Sequence, residues 1–143
     1  MAREQILRHI PHAGEMCLLD EVLEWDADTL SAVSQRYQHA NNPLRRCDAT
    51  FGTASAIEIA AQAMALHGAL TASLAESPSP GYLVSLRNVH IEAPVLTDAL
   101  GPLQILVRRH ESSIAGARYS FLISAAANPR VSGLAMVIFG DHP

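Results

Sequence analysis

In the first half of the chain, the pattern of hydrophobic and polar positions predicts two β-strands followed by one long helix. The segment CLLDEVLEWDADTLSAVSQRY has short apolar runs on either side of a polar turn at residues 26–29, which is typical of a hairpin. From about Thr53 to Leu74, apolar residues recur at helical spacing, and Thr50 or Thr53 is suited to cap the helix start. The recurring positions are Ile57, Ala61, Met64, Ala65 and Leu70.

The remainder of the chain has the pattern of β-strands. YLVSLRNVHIEAPV predicts one strand closed by Pro94, and three more strands follow, with turns near residues 111–116 and at ANPR, residues 127–130. This order predicts one α+β domain over residues 1–143, with an antiparallel sheet packed on the helix. Because the helix is so apolar, we expect the sheet to wrap around it.

Composition and charge narrow the classes of function. The formal net charge is −4 without a basic run, so nucleic acid binding is not expected. No stretch approaches the roughly 20 apolar residues that span a bilayer, and the first residues contain no apolar signal core, so we expect a cytoplasmic protein without membrane association. Cys17 and Cys47 have no metal-ligand spacing, which fits a reducing compartment. All ten basic residues are arginine, which excludes lysine-based covalent chemistry.

One carboxylate interrupts the apolar helix. Glu58 is flanked by Ile57 and Ile59, and Gln62 lies four residues later on the same face, within hydrogen-bonding reach. A solvated or arginine-paired glutamate at the helix edge is the simplest interpretation. The alternative is functional: a buried carboxylate must be paired or have a raised pKa, and a raised pKa suits a general acid or base near neutral pH. The helix position alone leaves both interpretations open.

Three segments resemble the β-hydroxyacyl-acyl-carrier-protein dehydratases. ILRHIPHAGEMCLLDEVLEWD resembles the family's opening, with its Pro-His pair before an apolar run, an Asp and a Val-Leu strand. AIEIAAQAMALHGAL resembles the central helix, where an acidic residue is followed by Ala and Gln, and GYLVSLRNVHIEAPV is similar to the next strand. The resemblance covers most of residues 5–96. It implies the hotdog fold, an antiparallel sheet wrapped around one long central helix, and dimers with active sites at the subunit interface.

The chain departs from the main fatty-acid enzymes at their catalytic histidine. Those enzymes carry His-Phe-Pro-Gly fourteen positions before the acidic residue, where this chain has Leu44, and its nearest upstream histidine, His39, is nineteen positions away. NNPLRRCDATFGTASAIEIAAQ is more similar to a divergent branch associated with aryl-polyene-type pigment synthesis. Members of that branch keep the glutamate and can lack the histidine. The resemblance therefore supports Glu58 and leaves the base open.

The resemblance implies removal of water from a 3-hydroxyacyl thioester of an acyl carrier protein or CoA. This chemistry needs a base, an acid and donors to the thioester oxygen, but no metal or redox cofactor. Glu58 is the candidate acid, and His39 is the candidate base because its ordinary pKa of roughly 6.5 suits the task. Gln62 is a candidate substrate-binding residue on the same helix face as Glu58. Backbone N–H groups near Gly52 and Thr53, at the helix start, are the candidate donors, and the glycine permits close approach of a substrate.

The other polar residues are weaker candidates for a functional site. Arg45 and Arg46 are either solvated or placed to bind the phosphate of a pantetheine arm or an acidic carrier protein. His12 is expected to be structural, and His67 to pack in the interior or lie at the surface. His9 and His12 have possible metal-ligand spacing, but no third ligand cluster accompanies them, so no metal is expected.

Two alternative functions remain. A hotdog thioesterase uses a helix carboxylate as base or nucleophile to hydrolyse an acyl thioester, although the Ala-Gln after Glu58 and the Pro-His opening favour a dehydratase. Without a histidine at the family spacing, the chain is also compatible with a non-catalytic subunit that binds acyl chains or a carrier protein. We expect a homodimer or a larger assembly.

Overall fold

The computed structural model describes residues 1–9, 17–35, 51–72, 81–92, 95–96 and 101–139. The six-stranded sheet is antiparallel, with the strand order β1-β2-β6-β7-β8-β4, and β3 pairs with β5 in a separate two-stranded sheet. The elements in chain order are α1 (Arg3–Leu7), β1 (Glu21–Trp25), β2 (Thr29–Ser34), β3 (Phe51–Gly52), a 3₁₀ turn (Thr53–Ser55), α2 (Ala56–Thr71), β4 (Gly81–Ile91), β5 (Val95–Leu96), β6 (Leu103–Ser112), β7 (Gly116–Ala125) and β8 (Asn128–Phe139).

Helix α2 lies against the inner face of the large sheet, as the sequence predicted. Along β2 and β7, every second residue is fully buried, so one face of each strand belongs to the core. The helix contacts β2, β4, β6 and β7. Its fully buried apolar residues are Ala56, Ile59, Ala60, Ala63, Met64 and Leu66.

The ends of α2 differ from the prediction. The α-helix begins at Ala56 after the 3₁₀ turn and ends at Thr71, three residues before the predicted end at Leu74. The prediction that Thr53 caps the helix is wrong, because Thr53 lies inside the 3₁₀ turn, whereas a capping side chain needs an extended residue before the first turn. The other cap candidate, Thr50, lies outside the described residues.

The β1–β2 turn is held by one side chain, as its sequence indicated. The Asp26 carboxylate accepts hydrogen bonds from the N–H groups of Asp28 (2.9 Å) and Thr29 (2.8 Å) and from the Thr29 hydroxyl (3.0 Å). These bonds lower the pKa of Asp26, because each of them favours the charged carboxylate. The turn predicted at residues 26–29 is confirmed.

The last turn lies slightly earlier than predicted. Ala126 and Ala127 form it, both with positive φ (50° and 66°), as a two-residue hairpin requires. Pro129, which was predicted to lie in the turn, instead lies in β8 opposite Ser124, where the register shifts, and a proline is tolerated at such a break in the ladder. The turn between β6 and β7 is confirmed at residues 113–115. Pro94 was predicted to close the strand that corresponds to β4. Pro94 lies outside the described residues, and β4 ends at Ile91.

The structure gives information on membrane-spanning helices and on one of the two cysteines. Within the ranges that the structure describes, no helix is long and apolar enough to cross a membrane. Cys17 is buried with a free thiol, whereas Cys47 lies outside the described residues.

Candidate active site

Glu58 lies in the first turn of α2, on a side of the helix that the sheet only partly covers. Ala61 and Ala65, three and seven residues later, share this side and are also only partly buried. Ile59 and Ala63, on other sides of the helix, are fully buried. The carboxylate therefore lies on a partly exposed helix face that is otherwise lined by small apolar residues.

This face includes two of the five residues of the apolar stripe that the sequence indicated, Ala61 and Ala65. Of the stripe's five positions only Met64 is fully buried, and the other four are partly exposed. Three of those four still pack against the core, namely Ile57, Ala65 and Leu70. The helical spacing of the stripe is therefore confirmed, and its positions differ in burial because they lie on more than one side of α2.

Gln62 connects Glu58 to the backbone of another segment. Its side chain is fully buried, and its Oε1 accepts a hydrogen bond of 2.8 Å from the N–H of Leu18. Because that N–H can only donate, the amide oxygen must face Leu18, and the amide nitrogen is directed elsewhere. The Nε2 atom donates to Oε1 of Glu58 at 3.4 Å, a long hydrogen bond. The predicted proximity of Glu58 and Gln62 is confirmed, and the amide positions the carboxylate.

Gly52 and Thr53 lie at the same end of α2 and are both buried. Gly52 has an extended backbone and pairs with Val95 in the small sheet, and Thr53 then begins the 3₁₀ turn. The N–H groups in a first helical turn have no partner within the helix. The placement is therefore compatible with the predicted binding of a substrate oxygen, which stays a prediction.

The remaining candidates cannot be placed relative to Glu58. His39, the candidate base, and Arg45 and Arg46, the candidate phosphate contacts, lie outside the described residues, as does His12. Their roles stay predictions. Within the described ranges, no group of three or more His, Cys, Asp or Glu side chains could hold a metal ion.

His67 is the polar residue whose role the sequence did not define. It is fully buried, its Nδ1 lies 2.8 Å from the Tyr119 hydroxyl, and its Nε2 lies 2.9 Å from the carbonyl oxygen of Asp26. Because that carbonyl only accepts, Nε2 carries the hydrogen and Tyr119 donates to Nδ1. Helical spacing held a signal for this burial, since His67 follows the buried Met64 and Ala63 by three and four residues.

Burial shifts the pKa of both His67 and Tyr119. It lowers the pKa of His67, and the positive charge of Arg109 acts in the same direction. It also raises the pKa of Tyr119 to about 12, with Arg109 acting against it. The Arg109 guanidinium donates to the Thr71 hydroxyl (3.0 Å) and to the Ala27 carbonyl (2.8 Å), so this network joins the end of α2 to the β1–β2 turn.

A family model supplies the identification. The model of the ApeP dehydratase, in the ApeP-like family, matches residues 4–135. The chain belongs to the ApeP-like dehydratase family. This confirms the resemblance found in the sequence, including its divergent branch, and it makes the protein a dehydratase by family. Among curated proteins, no sequence matches the chain.

Solved structures confirm the hotdog fold of this ApeP-like dehydratase. The chain is similar to the dehydratase heterocomplex ApeI:P from Xenorhabdus doucetiae, with a TM-score of 0.85, 20% identity, and coverage of 95% of this chain and 91% of that chain. It is also similar to the mutant thioesterase PA1618 (Q49A) from Pseudomonas aeruginosa, with a TM-score of 0.64, 13% identity, and coverage of 95% and 92%. Thioesterase HI1161 from Haemophilus influenzae gives a TM-score of 0.64, 13% identity, and coverage of 98% and 92%.

Proposed function

We propose that this ApeP-like dehydratase removes water from a 3-hydroxyacyl group held as a thioester on an acyl carrier protein. The observation that carries the proposal is the Glu58 carboxylate, which is partly buried on an apolar helix face and contacted by the fixed amide of Gln62. A mostly apolar surface with a few placed polar groups is typical of a small-molecule site. Ile57, Ala61 and Ala65 supply the apolar part beside the carboxylate.

In this proposal each candidate residue has a role. Glu58 gives a proton to the departing 3-hydroxyl, and His39 removes the proton next to the carbonyl. Backbone N–H groups at Gly52 and Thr53 bind the thioester oxygen, on which negative charge grows. The phosphate of the carrier's pantetheine arm is bound by the two arginines predicted for it, Arg45 and Arg46. A cytoplasmic location belongs to the same proposal.

The direct test supplies the purified protein with a 3-hydroxyacyl acyl carrier protein and follows the acyl group by mass spectrometry. Loss of one water, abolished in Glu58→Gln, supports the proposal, and His39→Ala tests the base in the same assay. Release of the free carrier thiol with the 3-hydroxyl retained would identify a thioesterase instead. Stable binding of the carrier protein without turnover would identify a non-catalytic subunit.

We also propose that two subunits pair through β4. This strand has 11 residues and lies at the end of the sheet, so one side of its backbone ladder has no neighbouring strand within the described residues. Leu83 and Leu86 lie opposite Val137 and Ala135, which are buried, yet the two leucines are 39% and 38% exposed. A long edge strand with exposed apolar residues is a typical surface for strand pairing. A partner there would bury the leucines.

Leu86→Asp is expected to convert the assembled protein to a monomer, because a dimer would have to bury the new carboxylate at the β4 edge. Size-exclusion chromatography with light scattering measures the change. Leu106→Asp is the matched control: Leu106 is 43% exposed on β6, inside the sheet order, and its substitution should leave the assembly intact. A Leu86→Asp protein that remains dimeric would contradict pairing through β4. A wild-type protein that assembles only with a second dehydratase chain would replace the homodimer by a heterodimer, as in ApeI:P.

A further inference from the structure

The side-chain hydroxyl of Thr53 is buried without a hydrogen-bond partner among the described residues. Such a group loses its bonds to water on folding and regains none, so it costs folding free energy. Native proteins satisfy nearly all of their buried polar groups, and an exception needs an explanation. Thr53 is 0% exposed, so bulk water does not form a hydrogen bond with its hydroxyl.

Four polar residues are fully buried in the described parts of the chain, and three of them, unlike Thr53, have hydrogen-bond partners. The Ser34 hydroxyl donates to the carbonyl oxygen of Leu18 at 2.5 Å. Gln62 uses both ends of its amide, and both ring nitrogens of His67 are bonded. In the described residues, the only other buried side-chain atom without a partner is Nε of Arg130, which is a partly exposed residue, so Thr53 is the fully buried residue of the two.

The position of Thr53 indicates what its hydroxyl is for. Thr53 is the first residue of the 3₁₀ turn that leads into the 16-residue helix α2, and Glu58 follows five residues later. The N–H groups at a helix start attract negative charge. The hydroxyl does not serve the helix itself, because no side-chain cap bond forms there. The Thr53 hydroxyl makes no hydrogen bond within the described residues and lies at this end of the helix, so it fits as a donor to a negatively charged oxygen of a bound molecule.

We propose that the Thr53 hydroxyl donates a hydrogen bond to the thioester carbonyl oxygen of the bound acyl group, beside the backbone N–H groups of the helix start. This inference rests on the proposed function. When the base removes the proton next to the carbonyl, charge develops on that oxygen, and a donor already held in place stabilises it without reorganisation. The hydroxyl keeps its own proton throughout, so Thr53 is a substrate-binding group and not an acid or base.

The test compares Thr53→Val with Thr71→Val. Valine keeps the shape of threonine and removes only the hydroxyl. In Thr53→Val the unliganded protein should melt at the wild-type temperature or about 3 °C above it, because a buried unbonded hydroxyl is removed. Its kcat for water loss from a 3-hydroxyacyl acyl carrier protein should fall about 10²-fold, the usual effect of losing one oxyanion donor, with a smaller change in KM. Thr53→Ser, which keeps a hydroxyl, should recover most of this rate.

Thr71→Val is expected to behave in the opposite way. The Thr71 hydroxyl donates to the carbonyl oxygen of His67 at 2.8 Å and accepts from Arg109, so its removal should lower the melting temperature and leave kcat unchanged. A Thr53→Val protein that melts clearly below wild type would show that the hydroxyl is bonded within the folded chain, and would overturn the inference. Full kcat in Thr53→Val together with loss of activity in Glu58→Gln would also overturn it, but would leave the proposed function intact. Full activity in both variants would remove the proposed function as well.

Discussion

Glu58→Gln is expected to lower kcat for dehydration of a 3-hydroxyacyl acyl carrier protein by about 10²–10⁴-fold, the usual contribution of one general acid. Glutamine has the shape of glutamate but no proton to give to a departing hydroxyl. Its amide oxygen can still accept the hydrogen bond from Nε2 of Gln62, so the side chain should keep its place. The measurement is the initial rate of enoyl-thioester formation at saturating substrate.

One control variant and one further measurement make this result specific. Glu24→Gln removes a carboxylate from an exposed position on β1 and should leave the rate unchanged. The melting temperature of Glu58→Gln should stay close to that of wild type, because the neutral side chain makes the same contact. If Glu58→Gln dehydrates at the wild-type rate, Glu58 is not the acid.

The architecture could be predicted because its signals are local. Asp26 lies two and three residues before the N–H groups that it binds, so the first turn is encoded within residues 26–29. Glu58 and Gln62 are likewise four residues apart on one helix, and their contact follows from helical geometry alone. These parts of the structure depend little on how the rest of the chain folds.

The parts that the sequence did not reveal depend on distant partners. A helix that is apolar nearly all round does not show which face the sheet will cover, and so the exposure of Ala61 and Ala65 was not predicted. The two partners of His67 lie 41 and 52 residues away along the chain. Likewise, only the folded structure shows that the Thr53 hydroxyl is buried and without a partner in the described residues. A sequence pattern can propose the residues of a site, whereas tertiary packing decides their surroundings.

His67→Leu is expected to reduce the free energy of unfolding by about 1–3 kcal/mol at about pH 8, because the buried Tyr119 hydroxyl is left without its acceptor. The Tyr119 hydroxyl loses its acceptor, and the Asp26 carbonyl oxygen loses its donor. Urea unfolding followed by circular dichroism measures the change. His67→Leu combined with Tyr119→Phe should cost less than the sum of the two single changes, because the double variant leaves no unpaired hydroxyl. Additive costs would mean that the two side chains do not depend on each other.

The same histidine should also make stability depend on pH. Burial holds the pKa of His67 below its ordinary value of 6.5, and the charge of Arg109 adds to this effect, although the Asp26 carbonyl and the charges of Asp26 and Asp28 oppose it. Between the folded pKa and 6.5 the unfolded chain therefore binds more protons than the folded chain. The contribution of His67 is complete above about pH 6.5 and is lost as the pH falls through the folded pKa.

Wild-type stability should therefore fall more steeply than that of His67→Leu between about pH 7 and about pH 5, so the stability gap between the two proteins should narrow on acidification. The measurement is the urea midpoint of each protein across this range. The other titrating groups are present in both proteins, so the difference between the curves isolates His67. Protonation would make Nδ1 a donor and turn the Tyr119 hydroxyl away from it, leaving that hydroxyl without an acceptor. Parallel curves would mean that His67 titrates alike in the folded and unfolded chains, and that the buried hydrogen bonds do not hold it neutral.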